Sequence, residues 1–186
     1  MKLILIRHGE TDYNKQGKYQ DHLGIDINST GMDQAKMAAK ELKGVDFDLV
    51  ISSDLTRAKH TTEIILRELN SDIVALTSSK LREIDFGKWQ GVDKKPEYFD
   101  QIKKDDDKLG ETGESHTELY SRVLSLINNL YEKSSDKTTL IIAHGGSIRS
   151  ILNMTGNTEM LKSDIPNATP IYIEISEKLQ IPAKIL

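Results

Sequence analysis

The chain contains no cysteine, so disulfide bonds, thiolate metal sites and a cysteine nucleophile are excluded. Its 186 residues carry no excess of positive charge, because 25 Lys and Arg are outnumbered by 29 Asp and Glu. A nucleic-acid-binding protein usually shows a basic stripe, and none is visible here. The first apolar run is too short for a signal peptide or a membrane span. These absences favour a cytoplasmic protein with no nucleic-acid or membrane partner, and they leave its oligomeric state open.

Three short aliphatic runs are each followed by an arginine or a histidine. They are residues 3–6 before Arg7 and His8, residues 48–52 before Arg57, and residues 139–143 before His144. Such runs are typical of strands that are buried on both faces of a sheet. Because ligands of open α/β sheets bind outside the carboxyl ends of the strands, the three runs predict one cationic pocket at that edge.

Helices are predicted between and after these strands. Apolar residues recur at helical spacing over about 29–43, 55–69, 115–133 and 147–154, while 73–76 and 171–175 read as further strands. Residues 9–28 are predicted to be a loop, and 179–181 could add an antiparallel edge. Alternating strands and helices predict a single α/β domain over residues 1–186, with a mostly parallel sheet covered on both faces. Within it, residues 88–114 are predicted to form an irregular cap over the pocket, in which 96–102 could make a short helix.

The residue types at the strand ends point to phosphate chemistry. Arginine matches phosphate oxygens with two parallel hydrogen bonds and stays charged, and Arg7 and Arg57 are two of only six arginines. Glycines directly after the histidines let backbone N–H groups approach an anion closely. A neutral histidine can attack phosphorus, and His8 is our candidate nucleophile. We expect the phosphate oxygens to be neutralised by Arg7, Arg57 and His144, the last best as an imidazolium.

The leaving oxygen of a phosphate ester needs a proton, and Glu83 is a candidate to supply it. A carboxyl group beside a phosphate dianion holds its proton more strongly, and the carboxylate left behind could later deprotonate water. Asp85, two residues further along the chain, is the alternative acid.

Two other interpretations use the same residues. Arg7 and Arg57 could be ion-pair partners of Asp12 or Asp54, although two buried like charges are costly unless an anion lies between them. The other interpretation is a metal site made of His8, His144, Glu83 and Asp54. Because the two arginines would repel a divalent cation, we expect no metal and no other cofactor.

The run Arg7-His8-Gly9-Glu10-Thr11 resembles the signature of the histidine phosphatase superfamily, which has the phosphoglycerate mutase-like fold. Similar motifs of that family follow in order at 31–35, 52–58, 81–91 and 143–146. The resemblance covers nearly the whole chain, and it implies a three-layer α/β/α sandwich.

By resemblance, His8 is the phosphorylated residue and Glu83 is the proton donor. The resemblance also implies a phosphate pocket completed by Arg7, Arg57 and His144. The further substrate-binding residues that it implies are Asn14, Gln20, Gly145 and Thr11.

Some positions depart from the family pattern. Asp21 stands where the family has glycine after Gln20, and residues 26–28 replace its Pro-Leu-Thr. Gln90 replaces the usual Glu of the phosphatases, and residues 90–94 look more like the mutase version of this segment, whose lysine touches substrate. The resemblance therefore does not predict which residues contact the substrate at the mouth of the pocket.

The balance of features favours a phosphatase of this family. Mutases of the family carry a longer insertion with paired arginines that bind the substrate carboxylate, whereas residues 92–114 contain no arginine. We therefore predict metal-independent hydrolysis of a small phosphomonoester through a phosphohistidine on His8. A phosphoglycerate mutase is the second interpretation, and a non-catalytic phospho-ligand binder is the third.

Overall fold

The computed structural model describes residues 1–95, 108–109, 111–183 and 185. Its sheet has five strands in the order β3-β2-β4-β1-β5. The strands are β1 (Lys2–Arg7), β2 (Leu49–Ser53), β3 (Leu76–Ser78), β4 (Thr138–Ala143) and β5 (Ile171–Glu174). The first four run parallel, and β5 pairs with β1 in the antiparallel direction.

Helices connect the strands. They are α1 (Asp12–Lys15), α2 (Ser29–Glu41), α3 (Thr56–Glu68), α4 (His116–Ser134) and α5 (Gly145–Met154). Short 3₁₀ segments lie at Ser79–Leu81, Gly87–Trp89 and Thr158–Lys162. Side-chain oxygens cap three of the described helices at their N-termini. Thr11 forms a capping box with Asn14 at α1, Asn28 accepts from the Gly31 N–H at α2, and Ser115 forms a capping box with Glu118 at α4.

The sheet is covered on both faces, which confirms the predicted α/β/α layers. Leu3 and Leu5 belong to a core cluster with residues of α4 and α5, such as Val123 and Ile148. Ile4 and Ile6 point to the opposite face and belong to a second cluster with residues of α2 and α3. Because successive side chains of a strand alternate between faces, a strand between two helical layers must be apolar throughout.

Several predicted boundaries are wrong. β3 begins at Leu76 rather than at residue 73, and residues 179–181 are not a strand. Leu179 instead exchanges backbone hydrogen bonds with the side chain of Asn128 on α4. The predicted loop over 9–28 contains the short helix α1, and α5 begins at Gly145 instead of residue 147. The predicted helix over 96–102 lies outside the described residues.

In the part of the chain that the structure describes, no helix combines the length and the apolar character that a membrane crossing requires. The parallel strands β1, β2 and β4 are neighbours and end at the same edge of the sheet. That edge is where the predicted site residues come together.

Candidate active site

The two histidines predicted for the pocket lie side by side after β1 and β4. Arg7 pairs with Ala143 in the parallel register of these strands, so His8 and His144 leave the sheet at the same level. Their ring centroids are 5.1 Å apart, and the rings are tilted by 55°. Both residues are buried, and one small anion could contact both rings at this separation.

Hydrogen bonds fix the tautomer of His8. Nδ1 lies 2.8 Å from the carbonyl oxygen of Gly9, and because a carbonyl only accepts, Nδ1 carries the proton. Nε2 is then the unprotonated nitrogen, and it accepts a hydrogen bond from Nε of Arg57 at 3.2 Å. Burial, with Arg57 and Arg7 adding to it, holds the pKa of His8 well below its ordinary value of 6.5. His8 is therefore neutral at pH 7 and has the nucleophilic lone pair on Nε2.

The backbone around His8 is held on both sides. Asn167 Nδ2 donates to the carbonyl oxygen of His8 at 2.7 Å, and the Gly9 N–H donates to Thr61 Oγ1 at 3.0 Å. Gly9 also packs so closely on Gly31 that a Cβ atom at position 9 would overlap the Gly31 backbone. The imidazole is thus attached to a segment of chain that has little freedom to move.

Arg57, at the start of α3, has a fully buried side chain whose position is set by backbone oxygens. Nη1 donates to Leu23 O at 3.1 Å and Nη2 donates to Asp21 O at 2.6 Å, which leaves Nε facing His8. Burial lowers the pKa of Arg57 to about 10, and nearby Glu83 opposes that shift. The guanidinium stays charged at pH 7.

Arg7 is oriented in a similar way from the other side of the pocket. Nη1 donates to Ile165 O at 2.7 Å, whereas Nε is buried and has no hydrogen-bond partner among the described residues. Burial lowers the pKa of Arg7, and the charge of Glu83 opposes this effect. An arginine nitrogen that is buried without an acceptor indicates a place for an anion.

The ion pairs considered as the alternative for these arginines are not formed. Both oxygens of Asp54 accept from Arg82, at distances from 2.6 to 3.1 Å. Asp12 Oδ1 accepts from the Asn28 side chain at 3.2 Å. Within the described residues, no group of three or more His, Asp and Glu side chains could hold a metal ion.

His144 differs from the sequence expectation in its charge. Its Nε2 lies 2.9 Å from Ser53 Oγ, and its Nδ1 is buried with no partner in the described part of the chain. Burial, together with Arg57 and His8, holds the pKa of His144 well below its ordinary value of 6.5. The neutral imidazole is therefore the form that this structure favours for His144 at pH 7, mainly because the ring is buried and secondly because Arg57 lies nearby.

Glu83 reaches the N-terminus of α5. Its Oε1 accepts hydrogen bonds from the backbone N–H of Gly146 at 2.9 Å and of Ile84 at 3.0 Å. A Cβ atom on Gly145 would lie 3.6 Å from Glu83 Oε2 and 4.0 Å from Arg7 Nε, so these two groups border the same small space. The side chain of Glu83 therefore lies beside the cationic pocket.

Other residues fix the backbone of Glu83. Its carbonyl oxygen lies 2.8 Å from Nε2 of His22 and accepts from Nη2 of Arg122 at 3.0 Å. Asp85, the alternative acid, uses its Oδ1 to accept the Gly87 N–H at 2.8 Å and so stabilises its own turn. These contacts favour Glu83 over Asp85 as the proton donor.

The remaining predicted site residues form one small network. Thr11 Oγ1 donates to Gln20 Oε1 at 2.7 Å and accepts from the backbone N–H of Asn14, while Asn14 Oδ1 accepts from the Thr11 N–H. Gln20 Nε2 is buried without a partner among the described residues. In this structure Asn14 completes the capping box of Thr11 at the start of α1, and Gln20 Nε2 is available to donate to a ligand.

Asp21, which replaces a family glycine, is buried as well. The pKa of its carboxyl group is raised by burial, and hydrogen bonding to the backbone of His22 opposes that shift. The backbone of this turn supplies the Asp21 and Leu23 oxygens that hold Arg57, and its His22 ring reaches Glu83. The turn therefore connects Arg57 with the backbone of Glu83.

The predicted site residues do not include Lys94, although its segment resembles that of the mutases. Lys94 is exposed at the surface, yet partial desolvation by the surrounding protein lowers its pKa, as does the neighbouring charge of Arg7, while Glu83 opposes both effects. Lys94 is thus a third cation near the pocket. Ser53, His22 and Arg122 were also outside the predicted set, because only their long-range contacts reveal their positions.

Comparisons with known proteins show similarity along almost the whole chain. A family model described as Histidine phosphatase superfamily (branch 1) matches residues 3–180. The uncharacterized phosphatase PhoE of Bacillus subtilis is 32% identical over 178 residues, which cover 95% of this chain and 89% of that protein. A 2,3-bisphosphoglycerate-dependent phosphoglycerate mutase of Lachnoclostridium phytofermentans is 27% identical, with 96% and 88% covered. The solved structure of a mycobacterial glucosyl-3-phosphoglycerate phosphatase is 25% identical, with a TM-score of 0.78 and coverage of 92% of this chain and 88% of that chain.

Proposed function

Because the chain belongs to the histidine phosphatase superfamily, we propose that it hydrolyses a small phosphomonoester through a phosphohistidine on His8. One observation carries this proposal. Arg7 Nε, His144 Nδ1 and Gln20 Nε2 are all buried without partners among the described residues. Two of these donors, on Arg7 and His144, adjoin the nucleophile, and with Arg57 they could bind the oxygens of one phosphoryl group.

The first half of the reaction transfers the phosphoryl group. Nε2 of His8 forms a bond to phosphorus while the bond from phosphorus to the ester oxygen breaks, and the proton of Glu83 goes to that leaving oxygen. Arg57 Nε then donates to a phosphoryl oxygen instead of to His8 Nε2, from which it is 3.2 Å away before substrate binds. Arg7 stabilises the same charge, so most of the rate acceleration comes from positioning and from electrostatic stabilisation of the transition state.

The second half returns the enzyme to its starting state. The Glu83 carboxylate accepts a proton from a water molecule, whose oxygen attacks the phosphohistidine. The bond from nitrogen to phosphorus breaks, inorganic phosphate leaves, and His8 is neutral again with its proton still on Nδ1. The Gly9 carbonyl holds that proton throughout both steps.

The test measures phosphate release from p-nitrophenyl phosphate and from a panel of cellular phosphomonoesters, compared by kcat/KM. We expect His8→Ala to lower kcat by at least about 1,000-fold, because the covalent step is lost. The matched control is His60→Ala, since the half-buried His60 ring has Asp26 as its hydrogen-bond partner among the described residues. If the His8 variant kept most of the wild-type rate, His8 would not be the nucleophile. No turnover of any ester by the wild type would favour a phospho-ligand binder.

A phosphoglycerate mutase is the second candidate, and Lys94 is the observation that favours it. Lys94 lies near Arg7 and Glu83, in the segment that resembles the mutases. By contrast, the alignment with the mutase relative spans 218 positions, which is more than the 186 residues of this chain. The mutase relative therefore contains insertions that this chain lacks. Stoichiometric conversion of 3- to 2-phosphoglycerate with negligible phosphate release would establish the mutase and overturn the phosphatase.

The substrate is expected to be a small phosphomonoester, because the relatives include phosphatases named for phosphoserine and for glucosyl-3-phosphoglycerate. The cytoplasmic location, the single-domain organisation and the cap formed by residues 88–114 stay predictions. Residues 96–107 and 110 of that cap lie outside the described part of the chain.

A further inference from the structure

Ser53, the last residue of β2, is fully buried and contacts the second histidine of the pocket. Its Oγ lies 2.9 Å from Nε2 of His144 and accepts the backbone N–H of Leu55 at 3.3 Å. The two atoms that bond each other come from β2 and from the end of β4, which are neighbours in the sheet. The contact is therefore a product of strand pairing and of the placement of α3 and α5.

Counting donors and acceptors decides the direction of this hydrogen bond. A hydroxyl group has one proton to donate, and the Leu55 N–H already occupies an acceptor position of Ser53 Oγ. If His144 carried its proton on Nε2, Ser53 Oγ would accept twice and its own buried proton would have no acceptor among the described residues. If the proton is on Nδ1, Nε2 accepts the hydroxyl proton and both groups are satisfied.

We propose that Ser53 is a positioning residue, which donates to Nε2 of His144 and so keeps the proton of the neutral imidazole on Nδ1. The buried Nδ1–H, which has no partner among the described residues, is then aimed at the space beside His8 and can donate to a phosphoryl oxygen. A neutral histidine can in this way stabilise the transition state without adding a further positive charge next to Arg7 and Arg57. The role in catalysis rests on the proposed function, whereas the tautomer does not.

Buried Ser52 provides a matched control in the same strand. Its hydroxyl donates to the carbonyl oxygen of Ser53 at 2.8 Å, and the pocket histidines are not among its partners. Ser52→Ala and Ser53→Ala remove the same atom from adjacent buried positions of β2. A purely structural effect of losing a buried hydroxyl should appear in both variants.

The direct test is the tautomer itself, read from long-range ¹H–¹⁵N correlation spectra of the uniformly ¹⁵N-labelled wild type with inorganic phosphate. We expect His144 to be protonated on Nδ1 in the wild type and in Ser52→Ala, and to lose that preference in Ser53→Ala. A wild-type His144 protonated on Nε2 alone would overturn the role of Ser53. Because the wild-type measurement needs no variant to fold, it can overturn the proposed role of Ser53 even if Ser53→Ala is unstable.

The kinetic test is the ratio of kcat/KM between each variant and the wild type across pH. Ser53→Ala should lose about 10- to 1,000-fold near neutral pH, in line with removal of one transition-state donor. The loss should shrink as the pH falls, because a protonated His144 carries a proton on Nδ1 whatever its partner on Nε2. Ser53→Thr, which keeps the hydroxyl, should recover activity. A pH-independent ratio, or equal losses in Ser52→Ala, would refute the proposal, while absence of wild-type turnover would instead overturn the phosphatase function.

Discussion

Gly146, the second residue of α5, allows a sharp test of the proton donor. A Cβ atom at this position would overlap Oε1 of Glu83, whereas a Cβ atom on Gly145 would lie 3.6 Å from Oε2, an ordinary contact. Gly146→Ala must therefore move the carboxylate, which is the end of a flexible side chain. Gly145→Ala adds the same methyl group one residue earlier and leaves Glu83 in place.

The stability cost of Gly146→Ala should be modest. Moving Glu83 breaks the 2.9 Å hydrogen bond from the Gly146 N–H, and a hydrogen bond to a charged group contributes about 1.5–3 kcal/mol. Alanine is better than glycine in a helix by about 1 kcal/mol, which offsets part of that loss. The free energy of unfolding should therefore fall by no more than about 2 kcal/mol, and the variant should stay folded at 25 °C.

The effect on catalysis should be much larger. A positioned general acid contributes about 100- to 10,000-fold, so kcat for an alkyl phosphate should fall by about 100-fold or more, or about 2.7 kcal/mol. The loss on p-nitrophenyl phosphate should be smaller, because nitrophenolate leaves with less protonation. The assay compares kcat for both substrate types in the two alanine variants. If Gly146→Ala lost as much activity on p-nitrophenyl phosphate as on alkyl phosphates, Glu83 would not be the acid, and Asp85 would become the first alternative.

Two further predictions concern charge in the pocket. Because burial holds the pKa of His8 and of His144 well below 6.5, the unfolded chain binds more protons below that pH, and stability is lost as the pH falls. Each histidine adds a slope of up to about 1.4 kcal/mol per pH unit, so urea titrations between pH 7 and pH 5.5 should show a steeper loss in the wild type than in His8→Asn; parallel slopes would contradict this. Arg57→Lys should lower kcat/KM by about 100-fold or more, because one ammonium group cannot contact Leu23 O, Asp21 O and a phosphoryl oxygen together. A loss under about 3-fold, with the melting temperature unchanged, would show that the fork geometry of Arg57 is dispensable.

Local sequence patterns predicted the main elements of the fold because burial leaves a clear trace in them. An all-aliphatic strand such as residues 3–6 must be covered on both faces, and the structure confirms this for β1. The caps of α2 and α4 are equally local contacts, since Asn28 and Ser115 accept hydrogen bonds from backbone N–H groups three positions further along the chain. Weakly apolar or irregular stretches, such as 73–76 and 9–28, were misjudged because their conformation depends on neighbours that are distant in the chain.

The sequence alone determined which chemical groups are available: two histidines, two arginines and a glutamate, each at a strand end or in a recognisable motif. Their charges and orientations depend on the tertiary structure. Burial and nearby Arg57 favour the neutral form of His144, and Nδ1 is its nitrogen without a partner among the described residues because Ser53 contacts Nε2. Glu83 faces the pocket because His22 and Arg122, far away in sequence, bind its backbone. Charge states and hydrogen-bond directions depend on burial and on partners across the fold, and no local pattern of residues encodes them.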